Sequence, residues 1–396
     1  MRPALKNESF GVYIHWPFCL SKCPYCDFNS HVRDTIDINL WQASLLRDLE
    51  SFHKKTQNKT VTSIFFGGGT PSLMPPKIVE VLIEKVHALW SVDPNLEITL
   101  EANPTSVEQK NFHALSEAGV NRISLGIQSL RRDSLEFLGR THSTEDSLRA
   151  IETAQSQFKR YSLDLIYTRP QQSIEEWEEE LKEALSLAQG HLSLYQLTIE
   201  EGTPFFLSYT KGSFHLPDND QSALFYERTN EIVQAHGYQP YEISNYAIPG
   251  QECRHNLTYW HYHDYIGVGP GAHSRLTIKG EKHAIRRHRS PEKWLEHMSQ
   301  RKEGTHKMSV IPWKEKCEEF LMMGLRLNTG ISQNEFKAQM GIPLSQALNL
   351  KKITELESEG LLELSQKSLK ATPIGRQRLD GILRYLFSPE EKTANL

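Results

Sequence analysis

Short β-type runs alternate with amphipathic stretches over the first half of the chain. The predicted strands are Gly11–His15, Val61–Phe66, Leu96–Glu101, Arg122–Gly126, Tyr161–Ile166 and His191–Leu197. The predicted helices between them are Leu40–Phe52, Lys77–Leu89, Ser106–Ala118, Thr144–Ala154 and Ile174–Leu187. Strands that alternate with such crossover helices form a parallel sheet with right-handed connections. The pattern therefore predicts an α/β fold, and periodicity alone does not decide between an open sheet and a barrel.

The alternation fades after the last of these strands. Residues Gly237–Ser274 are rich in Tyr, His and Gly, and we expect a structured loop there. From about Ile311 the pattern becomes helical. The predicted elements there are helices at Glu318–Leu327, Gln333–Met340, Leu344–Glu359 and Pro373–Leu386 and a strand at Leu361–Leu364. The expected domains are a β/α barrel over residues 1–235, a segment over 236–300 that completes it, and a small, mostly helical, winged-helix-like C-terminal domain over 301–396.

Composition and charge exclude several classes of protein. The chain carries 45 Lys and Arg against 49 Asp and Glu, and 38% of its residues are hydrophobic. No window approaches the roughly 20 apolar residues of a membrane-spanning helix, and no secretory signal is evident, so we expect a cytoplasmic protein. Residues 301–396 carry 15 Lys and Arg against 12 Asp and Glu. Because a DNA-binding module usually has a clearer basic face, we expect no nucleic-acid partner.

Three of the five cysteines lie within eight residues, in Cys19-Leu-Ser-Lys-Cys23-Pro-Tyr-Cys26. Thiolates grouped on one loop after a strand are typical of a metal site. A structural zinc site takes four ligands, and no second Cys pair is present, although His15 could serve as the fourth. Iron–sulfur clusters are held by Cys, and three ligands for four irons leave one iron open to another chelator. The spacing therefore favours an iron–sulfur cluster with an open iron.

This CxxxCxxC motif, with Tyr25 before the last cysteine, resembles that of the radical S-adenosylmethionine (SAM) superfamily. The resemblance implies that the amino and carboxylate groups of SAM chelate the open iron of a 4Fe–4S cluster held by Cys19, Cys23 and Cys26. It also implies a partial barrel of six β/α units, which agrees with the six strands predicted from the pattern.

Polar residues follow several predicted strands. A glycine run, Gly67–Gly69, follows the second strand and would let backbone groups approach a ligand. Glu101, Gln128, Arg140 and Asp164 stand near further strand ends, where buried carboxylates need partners such as a sulfonium cation, ribose hydroxyls or an internal Arg. An ion pair between Glu101 and Arg140 is the structural alternative. The series resembles the SAM pocket of the coproporphyrinogen III oxidase-like branch of the superfamily. The resemblance implies that the residues that bind SAM are Tyr13, Tyr25, Gly68, Gly69, Thr70, Glu101, Gln128, Arg140 and Asp164.

Two interpretations are possible within that branch. The chain could be a radical decarboxylase of coproporphyrinogen III or a heme chaperone. The decarboxylases extend the motif to CxxxCxxCxC after a long N-terminal extension, whereas this chain has Phe28 at the last position and 18 residues before Cys19. Both differences favour the chaperone. Arg254–Trp260 matches the HNxxYW motif of the heme chaperones, which implies heme binding by His255, Tyr259 and Trp260. An aromatic-rich packing segment is the alternative.

One segment departs from the family pattern. After Asp164-Leu-Ile-Tyr, family members usually have Gly-Leu-Pro-Gly-Gln, whereas this chain has Thr168-Arg169-Pro170-Gln171-Gln172. Side chains replace two flexible glycines next to the expected SAM pocket. We expect a reshaped loop, which leaves open whether SAM is cleaved in the usual way.

The leading hypothesis is a heme chaperone that binds heme, SAM and a 4Fe–4S cluster and transfers the heme to an acceptor protein. The resemblance implies a membrane-bound respiratory acceptor, which a cytoplasmic chaperone would contact peripherally at the membrane. The alternatives are an oxygen-independent coproporphyrinogen III oxidase and an iron–sulfur sensor. The sequence leaves the oligomeric state open.

Overall fold

The computed structural model describes residues 9–301 and 303–388. These residues form two compact units. The first consists of residues 9–239, 244–258, 263–301 and 303–309, and the second of residues 240–243, 259–262 and 310–388.

Most of the first unit is strand and helix in alternation. Its strands in chain order, up to residue 310, are β1 (Phe10–Trp16), β2 (Phe18–Cys19), β3 (His31–Val32), β4 (Thr60–Gly68), β5 (Ser91–Ala102), β6 (Arg122–Gln128), β7 (Arg160–Tyr167), β8 (His191–Gln196), β9 (Gln239–Pro240), β10 (Asn245–Ala247), β11 (Asp264–Val268), β12 (His273–Ile278), β13 (Glu281–Arg287) and β14 (Thr305–Val310). Its helices are α1 (Ile38–Thr56), α2 (Pro76–Leu89), α3 (Ser106–Gln109), α4 (Phe112–Glu117), α5 (Arg132–Phe137), α6 (Thr144–Gln157), α7 (Ile174–Leu187), α8 (Pro204–Thr210), α9 (Asn219–Ala235), α10 (Arg254–Trp260) and α11 (Pro291–Gln300).

The centre of the large sheet is six parallel strands in the order β1-β4-β5-β6-β7-β8. All six predicted strands are present, each displaced by only a few residues at its ends. Beyond β1 the sheet continues through β11, which is parallel to β1, and then through the antiparallel strands β12 and β13 to β14 at the edge. An open parallel sheet of six β/α units is consistent with the expected partial barrel.

The helices cover the sheet because their apolar residues recur at helical spacing. In α7, a capping box formed by Ser173 and Glu176 begins the helix, and Trp177, Leu181 and Ala184 then lie on one buried face. In α1, buried Trp41, Leu45, Leu49 and Phe52 follow the same spacing. These faces pack with the buried strand residues in one continuous core. The carboxyl ends of the parallel strands are thereby left as the free rim of the partial barrel.

The expectation of a structured loop over Gly237–Ser274 is wrong. This segment contains β10, α10 and β11, and β12 begins at its end. Asp and Gly in β11 weakened the strand signal, since both are depleted in strands. Gly267 is nevertheless required there, because a Cβ would collide with the backbone of His273.

The predicted helix over Ser106–Ala118 is also wrong as a single element. It is divided into α3 and α4, and in the turn between them the Asn111 amide donates to the Glu108 carbonyl at 2.9 Å. The buried Glu108 carboxylate instead binds the segment before α3, where it accepts hydrogen bonds from the Asn103 amide at 2.6 Å and the Thr105 hydroxyl at 3.1 Å.

The second unit is a small α+β body with its own core. Its helices are α12 (Trp313–Gly324), α13 (Gln333–Met340), α14 (Leu344–Ala347), α15 (Leu350–Ser358), α16 (Pro373–Gln377) and α17 (Leu379–Phe387), and its strands are β15 (Ile331–Ser332), β16 (Leu362–Leu364) and β17 (Ser368–Ala371). The three strands form an antiparallel sheet in the order β15-β17-β16. The core includes buried Phe320, Leu321, Phe336 and Ile353.

None of the helices in residues 9–301 and 303–388 combines the length and the apolar character needed to cross a membrane.

A buried ion pair joins α1 to the end of β13, so we expect Arg287→Met to destabilise the first unit. Arg287 contacts the fully buried Asp48 and lies 4.0 Å over the centre of the Phe52 ring. The substitution leaves the Asp48 carboxylate buried and unpaired, which costs about 3 kcal/mol of unfolding free energy. Arg286, the exposed neighbour of Arg287, provides the matched control. Arg286→Met should lower the free energy of unfolding by less than about 0.5 kcal/mol. Equal urea midpoints of the two variants, followed by tryptophan fluorescence, would contradict this role.

Candidate functional site

A cavity of about 510 Å³ opens at the carboxyl ends of the parallel strands. The three motif cysteines and eight of the nine predicted SAM residues line it, namely Cys19, Cys23, Cys26, Tyr25, Gly68, Gly69, Thr70, Glu101, Gln128, Arg140 and Asp164. Tyr13 is not among the lining residues. Its hydroxyl donates to His15 Nδ1 at 3.0 Å, and its ring stacks on Phe65 with the centroids 6.2 Å apart.

The three motif cysteines are free, half-buried and contacted by hydrogen-bond donors. Cys19 ends β2 and accepts from the Thr70 hydroxyl at 3.3 Å. The Cys23 sulfur accepts from Arg140 Nη1 at 3.4 Å, and the Cys26 sulfur lies 3.8 Å from Ser30 Oγ. Such donors stabilise sulfur that carries negative charge when it binds iron.

Side chains of the first unit fix the loop that carries the cysteines. His15 Nε2 donates to the Asn29 carbonyl at 2.9 Å, and the Asn29 amide donates to the carbonyls of Pro270 and Arg289 at 3.0 and 2.9 Å. His15 therefore joins the end of β1 to the far end of the cysteine loop. Asn29 could not be predicted from the sequence, because a lone Asn in a loop has no distinguishing signal.

The glycine run packs against the cysteine segment through backbone contacts. The Gly69 amide donates to the Trp16 carbonyl at 2.7 Å, and the Thr70 amide donates to the Phe18 carbonyl at 2.8 Å. A Cβ on Gly69 would lie 2.8 Å from backbone atoms of Pro17 and Phe18. At Gly68 φ is +114°, which glycine adopts without strain. The run is therefore needed for close packing as well as for access to a ligand.

Two half-buried carboxylates face the cavity. Glu101 accepts a hydrogen bond from the Gly68 amide at 3.2 Å, and Asp164 accepts from the hydroxyls of Ser124 and Ser162 at 3.0 and 3.2 Å. Burial and then the nearby Asp164 raise the pKa of Glu101 to about 8, and burial also raises the pKa of Asp164. Within the described residues, neither carboxylate forms an ion pair. The pair is suited to a ligand that brings a positive charge or hydroxyl donors.

Arg140 differs in two respects from its predicted role. It follows α5 and not a strand, and it does not pair with Glu101. Its guanidinium instead donates to the Asn103 side-chain oxygen, to the Gly126 carbonyl at 3.0 Å and to the Cys23 sulfur. The spacing misled the prediction because a short helix, α5, intervenes between β6 and Arg140. Asn103, which the sequence analysis missed, lines the same cavity and stands two residues beyond Glu101, so its position after β5 was the available signal.

The segment that departs from the family pattern forms a turn in which Thr168 and Arg169 are buried and Gln171 is exposed. Thr168 and Gln171, which replace the two glycines, have φ values of +57° and +63°, which are strained for residues with side chains. Arg169 Nη2 contacts Glu180 Oε2 at 2.5 Å, with both side chains buried, and Arg169 Nη1 donates to Ser129 Oγ at 3.1 Å. The expected reshaping of the loop therefore takes the form of a buried ion pair directly behind Ser129, the neighbour of Gln128.

His255 lies near the opposite end of the strands. Its Nδ1 is 2.8 Å from Ser63 Oγ, its backbone amide donates to Glu97 Oε1 at 3.2 Å, and its ring stacks on Phe65 with the centroids 5.0 Å apart. Ser63 pairs with Gly11 near the amino ends of β1 and β4. The imidazole is 1% exposed, and burial lowers its pKa to about 3.

The two aromatic residues of the same motif belong to the second unit. Trp260 lies under the Arg326 guanidinium, whose carbon is 4.6 Å from the ring centroid, and Arg326 also donates to Glu242 at 2.8 Å. The motif is therefore divided between the units, with His255 in the first and Tyr259 and Trp260 in the second.

Comparisons with known proteins identify the family of this chain. The model of the radical SAM superfamily matches residues 13–184, and the model of the HemN C-terminal domain matches residues 311–378. The chain is 37% identical to the heme chaperone HemW of Haemophilus influenzae over 98% of this chain and 100% of that protein. The chain belongs to the HemW family. It is also 35% identical to the mitochondrial radical S-adenosyl methionine domain-containing protein 1 of Danio rerio, over 94% of this chain and 86% of that protein.

The fold expectation is confirmed by a solved structure. The coproporphyrinogen III oxidase HemN of Escherichia coli superposes with a TM-score of 0.79 over 96% of this chain and 90% of that chain, at 19% identity. This likeness establishes the radical SAM α/β fold with a helical C-terminal domain. At 19% identity, the likeness shows the fold alone and does not identify a reaction.

Membership of the radical SAM superfamily implies a 4Fe–4S cluster and SAM, and the residues present fit both. In residues 9–301 and 303–388, no three His, Cys, Asp or Glu side chains are arranged to hold a single metal ion, the motif cysteines included. In an iron–sulfur cluster each cysteine binds a different iron, so the three cysteines need not converge on one metal ion. The two unpaired carboxylates in the same cavity fit a cationic ligand.

We expect SAM affinity to depend on the ionisation of Glu101. The raised pKa keeps this carboxyl largely protonated near neutral pH, so the affinity of the cluster-loaded protein should rise between about pH 7 and about pH 9. Glu101→Gln should flatten this rise and weaken binding about tenfold at the upper end, as measured by anaerobic calorimetry. Glu117→Gln, on the exposed side of α4, is the control. An unchanged pH profile in Glu101→Gln would contradict the assignment.

We expect the Arg169–Glu180 pair to stabilise the turn beside the cavity. Arg169→Leu leaves Glu180 buried without its partner and should cost about 3 to 5 kcal/mol of unfolding free energy, whereas Arg169→Leu with Glu180→Leu should recover most of it. Because Arg169 also contacts Ser129, the single variant should bind SAM more weakly at temperatures where it remains folded. Thermal unfolding and SAM titration measure the two effects. A double variant no more stable than the single one would contradict this role.

Proposed function

We propose that this protein is a heme chaperone, which holds heme and passes it to an acceptor protein. The observation that carries the proposal is the likeness to the heme chaperone HemW of Haemophilus influenzae over nearly the whole chain. The Escherichia coli HemW, 42% identical over 69% of this chain, supports it. Phe28 stands at the cavity, 60% exposed, where the sequence analysis expects a further cysteine in a decarboxylase.

Cys19, Cys23 and Cys26 would hold the cluster in this proposal. When bound, the cluster supplies a redox centre with one iron open to SAM. The carboxylates of Glu101 and Asp164 would face the cationic or hydroxyl-bearing parts of SAM. Tyr25, Gly68, Gly69, Thr70 and Gln128 would complete the pocket, and Arg140 would act from beside Cys23. Tyr13 would act indirectly, through its hydrogen bond to His15.

The role that we propose for His255, with Tyr259 and Trp260, is heme ligation through the HNxxYW motif. In the structure the imidazole is enclosed between Ser63 and Phe65. Ligation of heme iron by this residue therefore requires α10 to leave its place, since axial ligation needs an accessible ring nitrogen.

The acceptor that we propose is a membrane-bound respiratory protein, met by a cytoplasmic chaperone at the membrane surface. The family resemblance supports this.

Anaerobic heme titration followed by visible absorption tests the proposal. Cluster-reconstituted protein should bind heme saturably and should then transfer it to an apo-protein that binds heme more tightly. Cys19→Ala serves as the control for heme that associates with the cluster loop. His255→Ala tests the motif residue.

Saturable binding that is followed by transfer supports the chaperone. Absence of saturable binding would contradict it. Release of carbon dioxide from coproporphyrinogen III, SAM and a reductant under the same conditions would favour the decarboxylase instead.

A further inference from the structure

Three imidazoles pack together at the edge of the first unit, away from the cysteine cavity. His288 follows β13, His297 lies on α11, and His306 lies on the edge strand β14. The centroid of the His288 ring is 4.0 Å from that of His297 and 4.9 Å from that of His306. In residues 9–301 and 303–388, these three rings form no hydrogen bond or ion pair. Imidazoles grouped in this way are available to a ligand.

The surroundings of the three rings are positively charged. Residues 286–307 contain seven Lys and Arg against three Glu. Lys293, His297 and Arg301 are spaced four residues apart and so share one face of α11 and its end. Lys293 and Arg301 lie close enough to His288 for their charges to act on its ring.

The glutamates of the same segment are engaged elsewhere. Glu292 pairs with Arg33 at 2.5 Å, Glu303 pairs with Lys55 at 3.8 Å, and Glu296 accepts from Gln300 at 3.3 Å. Among the described residues, neither Lys293 nor Arg301 has an acidic partner. The cluster therefore offers imidazole nitrogens together with two cations that are free to bind carboxylates.

The cluster is also open to solvent on the side of β14. His306 is exposed, and Met308, two residues further along this strand and thus on the same face, is 43% exposed. An apolar side chain beside an accessible imidazole provides contact for a flat apolar ring. The enclosed His255 offers neither feature in the structure described.

Heme matches this combination of groups. A bare ion would need several convergent donors, and no such group of three is present in the described residues. Heme iron already has four porphyrin nitrogens and takes one or two axial imidazoles, while its two propionate carboxylates need cations. An exposed site also suits a protein that must hand its ligand over, because the acceptor can reach it.

We propose that His306, supported by His297 and His288, forms a surface site that ligates heme for transfer, with Lys293 and Arg301 binding the propionates. The proposal rests on the proposed chaperone function and names a heme site for it outside the HNxxYW motif. His288 is the most buried of the three rings and acts as a positioning residue between the other two.

The test compares heme binding by cluster-reconstituted variants of the full chain. His297→Ala with His306→Ala should raise the Kd for heme about tenfold or more and shift the Soret band, because axial ligation is lost. His113→Ala with His236→Ala removes two exposed histidines elsewhere and should leave both unchanged. Cluster content and the response of the cluster to SAM should be the same in both variants, which reports that the first unit is folded.

A second pair of measurements tests the cationic part of the site. Lys293→Gln with Arg301→Gln should weaken heme binding about tenfold but leave the binding of the dimethyl ester of heme, which lacks carboxylates, nearly unchanged. Equal loss for heme and its ester would overturn the propionate assignment.

The outcomes separate this proposal from the function itself. Wild-type protein that binds no heme contradicts the chaperone function and with it this site. Two other results would overturn only the surface site. One is that the double variant His297→Ala with His306→Ala binds heme as tightly as the wild type, and the other is that His255→Ala alone abolishes heme binding.

Discussion

The architecture of the site depends on the backbone contact between the end of β1 and the glycine run at the end of β4. Two hydrogen bonds, from the amides of Gly69 and Thr70 to the carbonyls of Trp16 and Phe18, hold the two segments at a distance that leaves no room for a Cβ on Gly69. This contact places Cys19 beside the hydroxyl of Thr70. The cysteine loop and the carboxyl ends of the strands therefore enclose one cavity, and a ligand in it can contact both the thiols and the half-buried carboxylates.

Polar side chains lie at both ends of the interior of the partial barrel. The carboxylate at one end is paired with an arginine, and among the described residues the carboxylate at the other end is not. Near the amino ends, Glu97 forms an ion pair with Arg160 at 2.7 Å. Burial alone would raise the pKa of Glu97, but the positive charges of Arg122 and Arg160 lower it below its usual value. Near the carboxyl ends, the Gly68 amide is the only direct hydrogen-bond partner of Glu101 among the described residues, and the pKa of Glu101 is raised. A buried carboxylate without a counter-charge is unfavourable unless a ligand supplies one. This difference marks the carboxyl end as the ligand-binding end.

The parts that could be predicted from sequence are those governed by local patterns. The six parallel strands follow from alternating apolar runs, and the glycine and cysteine motifs occur at fixed distances after β1 and β4. Residues brought in by tertiary contacts could not be predicted. Asn29 acts through hydrogen bonds to carbonyls more than 200 residues away along the chain, and β11 is short and contains Gly and Asp. The burial of Arg169 depends on Glu180, and no local pattern indicates that pairing.

Electron paramagnetic resonance of the reduced, reconstituted protein, with and without SAM, tests the central claim most directly. The claim is that Cys19, Cys23 and Cys26 hold a cluster whose open iron faces the cavity of Glu101 and Asp164. We expect a 4Fe–4S signal that changes shape when SAM is added, and that change should be weakened in Asp164→Asn while the cluster content is retained. A signal that does not respond to SAM, or a cluster that persists when all three cysteines are replaced by Ala, would contradict the account.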